Sequence, residues 1–206
     1  MADIQNYGSF LLAILIFQAV PGAGTVAILD ATARGGVRAG MACVGGTLAG
    51  DALFMAAAAL GLAALLQASP VLFGALQWLG AGYLLWMGWG MLRSTAPAAA
   101  AAPHAPRSPS AYARRAFAIS LANPKVMLFF VAFFPLFIAP GASAVTLPLM
   151  MLHVTLLSLL WQGLLVVMGR EVARRFARRP AARTVATRLA GVALVGLGLK
   201  LVAGLR

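Results

Sequence analysis

Six apolar runs, at about residues 7 to 29, 40 to 66, 70 to 92, 116 to 138, 145 to 168 and 185 to 205, divide this chain of 206 residues. Each reaches the ~20 residues that a helix needs to cross the hydrocarbon core of a bilayer. None shows the strict alternation of a membrane β-strand, so the runs predict helices and not a barrel. Hydrophobic residues make up 62% of the chain and charged ones only 10%, with a mean hydropathy of +0.93. A soluble domain could not hide that much apolar surface. The expected fold is therefore all-α and integral to the membrane, with six transmembrane helices. The first run is expected to stay in the protein: Asp3 and no basic residue precedes it, it is too long for a signal-peptide core, and no small-residue cleavage site follows.

The formal net charge of +12 raises the question of nucleic acid, but the basic residues are neither gathered on one face nor interleaved with aromatics for base stacking. They lie between the apolar runs. Arg34 and Arg38 follow the first; Arg93, Arg107, Arg114 and Arg115 follow the third; Arg170, Arg174, Arg175, Arg178, Arg179 and Arg183 follow the fifth. The connections after the second and fourth runs carry no basic residue. By the positive-inside rule the first, third and fifth loops are cytoplasmic and both termini lie outside. The basic fifth loop is expected to hold this topology and to touch anionic lipid. Trp86 and Trp89, beside Arg93, suit the inner interfacial belt.

Several chemistries are not expected. The single cysteine, Cys43, permits no internal disulfide and reads as packing. No Cys/His cluster has metal-ligand spacing, and no catalytic triad, HExxH or phosphate-binding glycine loop is present, so neither an enzyme, a bound cofactor nor an ATP-driven pump is expected.

Residues 95 to 110 are rich in alanine and proline, lack apolar periodicity and read as a flexible cytoplasmic linker. The linker, taken as 95–111, separates a first three-helix half at 1–94 from a second at 112–206. An odd number of spans per half inserts the second half upside down, which is the inverted-repeat plan of many secondary transporters. Both halves carry an interruption in their first span. Pro21-Gly22-Ala23-Gly24 breaks helix 1, and Asn123-Pro124-Lys125, with Phe129-Phe130 and Pro135 behind it, breaks helix 4. At ~1.5 Å per residue both prolines lie roughly 5 Å to the cytoplasmic side of the midplane, so the breaks are expected to face one cavity.

Two charges fall near the middle of apolar runs. Asp51 in the second run and Lys125 in the fourth each cost on the order of 2.5–3.5 kcal/mol at the membrane centre, which marks them as functional or as a neutralising pair that joins helices. Their matching depth predicts a close contact. Moving Lys125, or admitting a substrate ammonium, would change the proton occupancy of Asp51, which points to proton exchange. Gly36 and Gly40, then Gly45-Gly46 and Gly50, form small-residue patterns that let another backbone approach, and exposed seams of this kind suit a homodimer. Gln18, one turn before the first break, also belongs to the candidate site, with His153 and Gln162 of the fifth run as secondary members. Asp30, near Arg34, reads as interfacial, and Lys200 as a snorkelling residue.

These residues resemble the bacterial LysE/RhtB amino-acid exporters over almost the whole chain. The resemblance rests on Pro21-Gly22; on Gly46, Gly50-Asp51 and Gly61-Leu62; on Leu79-Gly80-Ala81-Gly82-Tyr83-Leu84 with Gly88-Trp89; and on Asn123-Pro124-Lys125 with Phe129-Phe130. It departs at the family's Pro-Gly-Pro element, where Ala23 and then Gly24 follow Pro21-Gly22, so glycine and not proline weakens the helix there. The resemblance implies a secondary exporter of amino acids or close derivatives in the bacterial cytoplasmic membrane. It also implies that Pro21, Gly22, Asp51, Asn123, Pro124 and Lys125 line the route. Half-helix ends at the breaks would offer amides to a substrate carboxylate and carbonyls to its ammonium. An exporter of cations on the same plan and a non-transporting membrane scaffold remain the alternatives.

Overall fold

The computed structural model describes residues 4–20, 22–93, 108–139, 141–169 and 180–204; the side chains of residues 62–68, 70, 73, 124, 125, 127, 128, 180–183, 186 and 204 are outside the description. Pro21, most of the linker, the basic stretch from Arg170 to Arg179, and the side chains of Pro124 and Lys125 therefore lie outside the described residues. Regular structure among the described residues is helical, apart from one isolated antiparallel bridge between Ile4 and Ile138.

Helix α1 (Tyr7–Ala19) starts at Asn6, whose left-handed backbone (φ 49°) turns its carbonyl onto the amides of Ser9 and Phe10 at 2.7 and 3.0 Å. It stops where Val20 turns extended, its N–H still bonded to Ile16 at 3.2 Å. Helix α2 (Ala23–Ala68) follows at once and runs for 46 residues, bent at Gly36 (φ 70°, ψ −169°). That backbone region is essentially closed to residues with a Cβ. Helix α3 spans Pro70–Arg93. Helix α4 (Pro109–Leu121) opens on a Ser108 cap, whose side-chain oxygen accepts from the Ala111 amide at 3.3 Å, with Pro109 in the first turn. Helix α5 (Pro124–Phe133) continues into a 3₁₀ turn at Phe134–Phe137, and helices α6 (Thr146–Val167) and α7 (Pro180–Gly204) complete the fold.

The helices correct four expectations. Residues 109–111, read as linker, already belong to α4, and Arg114 and Arg115, read as loop, lie on that helix. Arg34 and Arg38 likewise lie on α2, because the helix does not end between the first two apolar runs but bends. Hydropathy registers only the hydrocarbon depth, whereas a helix can extend into the polar boundary if it is capped there. Gly36, read as a site of helix approach, is instead the bend: a Cβ on Gly36 or Gly45 would meet nothing within 4 Å.

Gly46 and Gly50 do let α4 approach α2. A Cβ on Gly46 would strike the Ala113 carbonyl, and one on Gly50 would lie 2.7 Å from the Ser120 Cβ. Gly88 and Gly191 pack α3 on α7 in the same way, each Cβ falling within 2.9 Å of the other glycine's oxygen. The most extensive helix pairs, α2 with α4, α3 with α7 and α2 with α6, each join the first half of the chain to the second.

The core between them holds a run of rings. Phe17 stacks on Phe129 (centroids 3.7 Å apart), Phe129 on Phe133 (4.5 Å) and Phe133 on Phe10 (5.4 Å), with Phe137 against both Phe10 and Phe133. Outside, α6 exposes Leu152, Leu156, Leu160, Leu164 and Val167. Ala23–Gly61 and Thr146–Val167 are long and apolar enough to cross a membrane, and such a face is stable only against lipid or protein. Trp86 and Trp89 are also exposed, with the Arg93 guanidinium 4.6 Å from the Trp89 ring.

Candidate functional site

Asp51 leaves the second arm of α2 directly after Gly50, where the absent side chain brings the end of α4 alongside. Ser120 reaches across that contact and donates to Asp51 Oδ1 at 2.6 Å. Ser120 stands in the last turn before the gap between α4 and α5, so Asp51 is tied to the second helix interruption through its neighbour. The first interruption arrives from the other side. Gly22, whose carbonyl accepts from Val26 at 3.1 Å, and Gly24 share with Asp51 and Asn123 the lining of a cavity of about 60 Å³.

Helix α6 closes the cavity with Trp161 and Gln162. Gln162 is buried, and neither its Oε1 nor the Trp161 Nε1 has a hydrogen-bond partner among the described residues. A buried donor or acceptor left unpaired costs about 1–3 kcal/mol, which makes this wall a candidate place for a polar group. Gln18 lines the cavity from the end of α1 and donates to Ser158 Oγ, one turn before Gln162 on the same face of α6. Phe17, Val20, Ile28 and Val126 supply an apolar remainder.

Of the candidates read from the sequence, Gln18, Gly22, Gly24, Asp51, Asn123 and Gln162 thus converge on one cavity. Among the described side chains Asp51 has no ion-pair partner; the expected contact with Lys125 lies outside them. His153 is elsewhere. Its Nδ1 sits 2.7 Å from the Leu149 carbonyl, and its ring is edge-on to Tyr7 at 5.6 Å, at the far end of the phenylalanine run. Lys200 donates to Ser9 at 2.8 Å and joins α7 to α1. Ser120, Ser158 and Trp161 are not conspicuous in the sequence. Ser158 had a signal, its four-residue spacing from Gln162, whereas Ser120 takes its place from the packing of α4 on Gly50.

A second cavity, of about 370 Å³, adjoins the first and shares Gly22 and Ile119 with it. Asp30, Tyr112 and Arg115 supply its polar wall. Asp30 also accepts from the Arg34 Nε at 2.5 Å.

A family model described as "LysE type translocator" matches residues 15–204. An uncharacterized membrane protein of Pseudomonas aeruginosa is 36% identical over 205 residues, 96% of this chain and 95% of that protein. The leucine efflux proteins of Klebsiella pneumoniae and Salmonella typhimurium are 33% and 32% identical over 201 residues, again 96% of this chain and 95% of theirs. No solved structure matches. A translocator-family match across both interruptions, the Asp51 cavity and nearly every helix has one consequence for identity: the chain belongs to the LysE type translocator family.

Proposed function

We propose that this protein is a secondary active exporter of amino acids or close derivatives, working in the bacterial cytoplasmic membrane by exchange against protons. In this reading six spans form two inverted three-helix halves, 1–94 and 112–206, with both termini outside. The observation that carries it is the Asp51 carboxylate, held by Ser120 where two interrupted helices meet in a small, partly polar cavity. An intramembrane carboxylate beside broken helices is the arrangement expected of an ion-coupled substrate site. The names of the leucine efflux relatives, which match 96% of the chain, support amino-acid cargo.

The chemistry of the cavity suits a zwitterion with an apolar side chain. The carbonyl end of α1 and the Asp51 carboxylate would receive the ammonium, and the amide end of α5 the carboxylate. Phe17, Val20, Ile28 and Val126 would receive the side chain, which favours leucine or a residue like it. At about 60 Å³ the cavity is far below the roughly 300 Å³ of common ligand sites, so substrate entry requires the interruptions to open. Protonation of Asp51 from the outside and its loss to the inside would alternate with substrate binding and drive export.

The test is uptake of labelled leucine and other amino acids into inside-out vesicles with an acid lumen, for the native protein and Asp51→Asn. The reading expects gradient-driven accumulation that Asp51→Asn abolishes at unchanged membrane abundance. A variant that keeps gradient-driven uptake would remove Asp51 from the coupling step. A scaffold would show no flux for either protein, and a cation exporter would move ions in place of amino acids.

A further inference from the structure

The cavity of about 370 Å³ is not needed to house the Asp51 site, yet it is the larger of the two and falls in the size range of true ligand pockets. We propose that it is a separate entry site that captures a free amino acid from the cytoplasm by its charged ends before the molecule passes Gly22 and Ile119 to Asp51. The proposal rests on the exporter reading and adds to it a second binding site with its own residues.

Three observations converge. First, the cavity carries one acid and one base, Asp30 from the first arm of α2 and Arg115 from α4, in a wall otherwise lined by residues such as Val26. One carboxylate and one guanidinium on a mostly apolar surface complement an α-ammonium, an α-carboxylate and an apolar side chain. An Asp30 carboxylate offers about four lone-pair positions, so it can accept an ammonium while it also accepts from Arg34. Second, Tyr112 lines the cavity, is only 4% exposed, and its hydroxyl has no hydrogen-bond partner among the described residues. A buried phenol is ordinarily paired. A substrate carboxylate bound to Arg115 would complete it. Third, the cavity adjoins the Asp51 cavity through Gly22 and Ile119, beside the first interruption, where a change of backbone would connect the two. With the first and third loops on the cytoplasmic side, as proposed above, Asp30, Arg34 and Arg115 place this cavity on the face from which an exporter is loaded.

The experiment is initial-rate uptake of labelled leucine into inside-out vesicles, with competition by leucinamide, which lacks the carboxylate, and N-acetylleucine, which lacks the ammonium. The native protein should discriminate against both. Arg115→Gln should raise KM about tenfold, ~1.4 kcal/mol, at a retained maximal rate, and should weaken the preference for leucine over leucinamide to what the Asp51 site alone provides. Asp30→Asn should raise KM similarly and weaken the preference over N-acetylleucine. Tyr112→Phe, which keeps the ring, should raise KM about threefold as one hydrogen bond is lost, and Arg115→Lys should recover most of the Arg115→Gln loss. If Asp30→Asn fails to reach the membrane because its pair with Arg34 is gone, Arg115→Gln and Tyr112→Phe decide. Native KM and native discrimination in those two variants would overturn the entry site and leave the exporter reading standing. Absence of amino-acid flux in the native protein would overturn both.

Discussion

At the scale of single residues, the placement of Asp51 depends on what its neighbour lacks. Gly50 has no side chain, so Ser120 can sit against α2 and donate to Asp51 at 2.6 Å. A Gly50→Ala side chain would fall 2.7 Å from the Ser120 Cβ and 3.3 Å from the Phe117 carbonyl. We expect this substitution to destabilise the protein by about 1–3 kcal/mol through overpacking, read as a lower melting temperature in detergent. Gly45→Ala, where a Cβ meets nothing within 4 Å, should be neutral or slightly stabilising. Adding Ser120→Gly to Gly50→Ala should recover stability and not transport, because the partner of Asp51 is gone. Asp51 and Asn123 could be named from sequence because a polar residue in an apolar run is conspicuous. Ser120 could not, since a hydroxyl in a span is unremarkable until packing gives it a carboxylate.

At the scale of elements, the bend in α2 sets how the first interruption meets the rest. Its first arm carries Gly24 and Asp30, and its second carries Cys43, Thr47 and Asp51. Gly36 joins the arms at φ 70° and ψ −169°. A Gly36→Ala substitution is expected to cost about 1–3 kcal/mol of strain or to straighten the helix, and Gly36→Asn should not rescue it because ψ is far from the left-handed helical region. Thermal melting of both variants beside Gly45→Ala checks this. The aromatic run is the second element-level device. Phe17 lines the Asp51 cavity and stacks on Phe129, with centroids 3.7 Å apart. Phe17→Ala should therefore raise gradient-independent leucine leak through vesicles carrying the protein, whereas native vesicles should show little. A leak equal to native would mean that these rings are packing only. Sequence identified the element types because their apolar lengths are long. It did not identify the ends near 23 to 40 and 109 to 116, because capping and bending act in polar segments where hydropathy has no contrast.

At the scale of the whole molecule, the two halves are interlocked. Helix α2 lies on α4 and α6, and α3 on α5 and α7, so the halves bury their apolar faces against each other more than within themselves. Separately expressed halves, residues 1–94 and 112–206, are accordingly expected to be degraded, and coexpressed halves to assemble and transport. Stable accumulation of either half alone, measured by immunoblotting of membranes, would contradict this. The interlocking also gives the proposed cycle its form, since rocking one half against the other must change the packing on both sides of the Asp51 cavity.

Sequence by itself determined the solvent, the element type and most of the candidate site. Long apolar runs require helices in a bilayer, where each backbone polar group must be satisfied within its own segment. Proline, glycine and intramembrane charge mark where that rule is broken. Only the tertiary structure decided which marked residues meet. It brought Gln18, Gly22, Asp51, Asn123 and Gln162 to one cavity, left His153 at the far end of the phenylalanine run, and set Asp30, Tyr112 and Arg115 around a second. Those outcomes depend on how closely helices approach across Gly46, Gly50 and the Gly88–Gly191 crossing. Close approach is a property of two facing surfaces, and periodicity along one chain segment does not contain it.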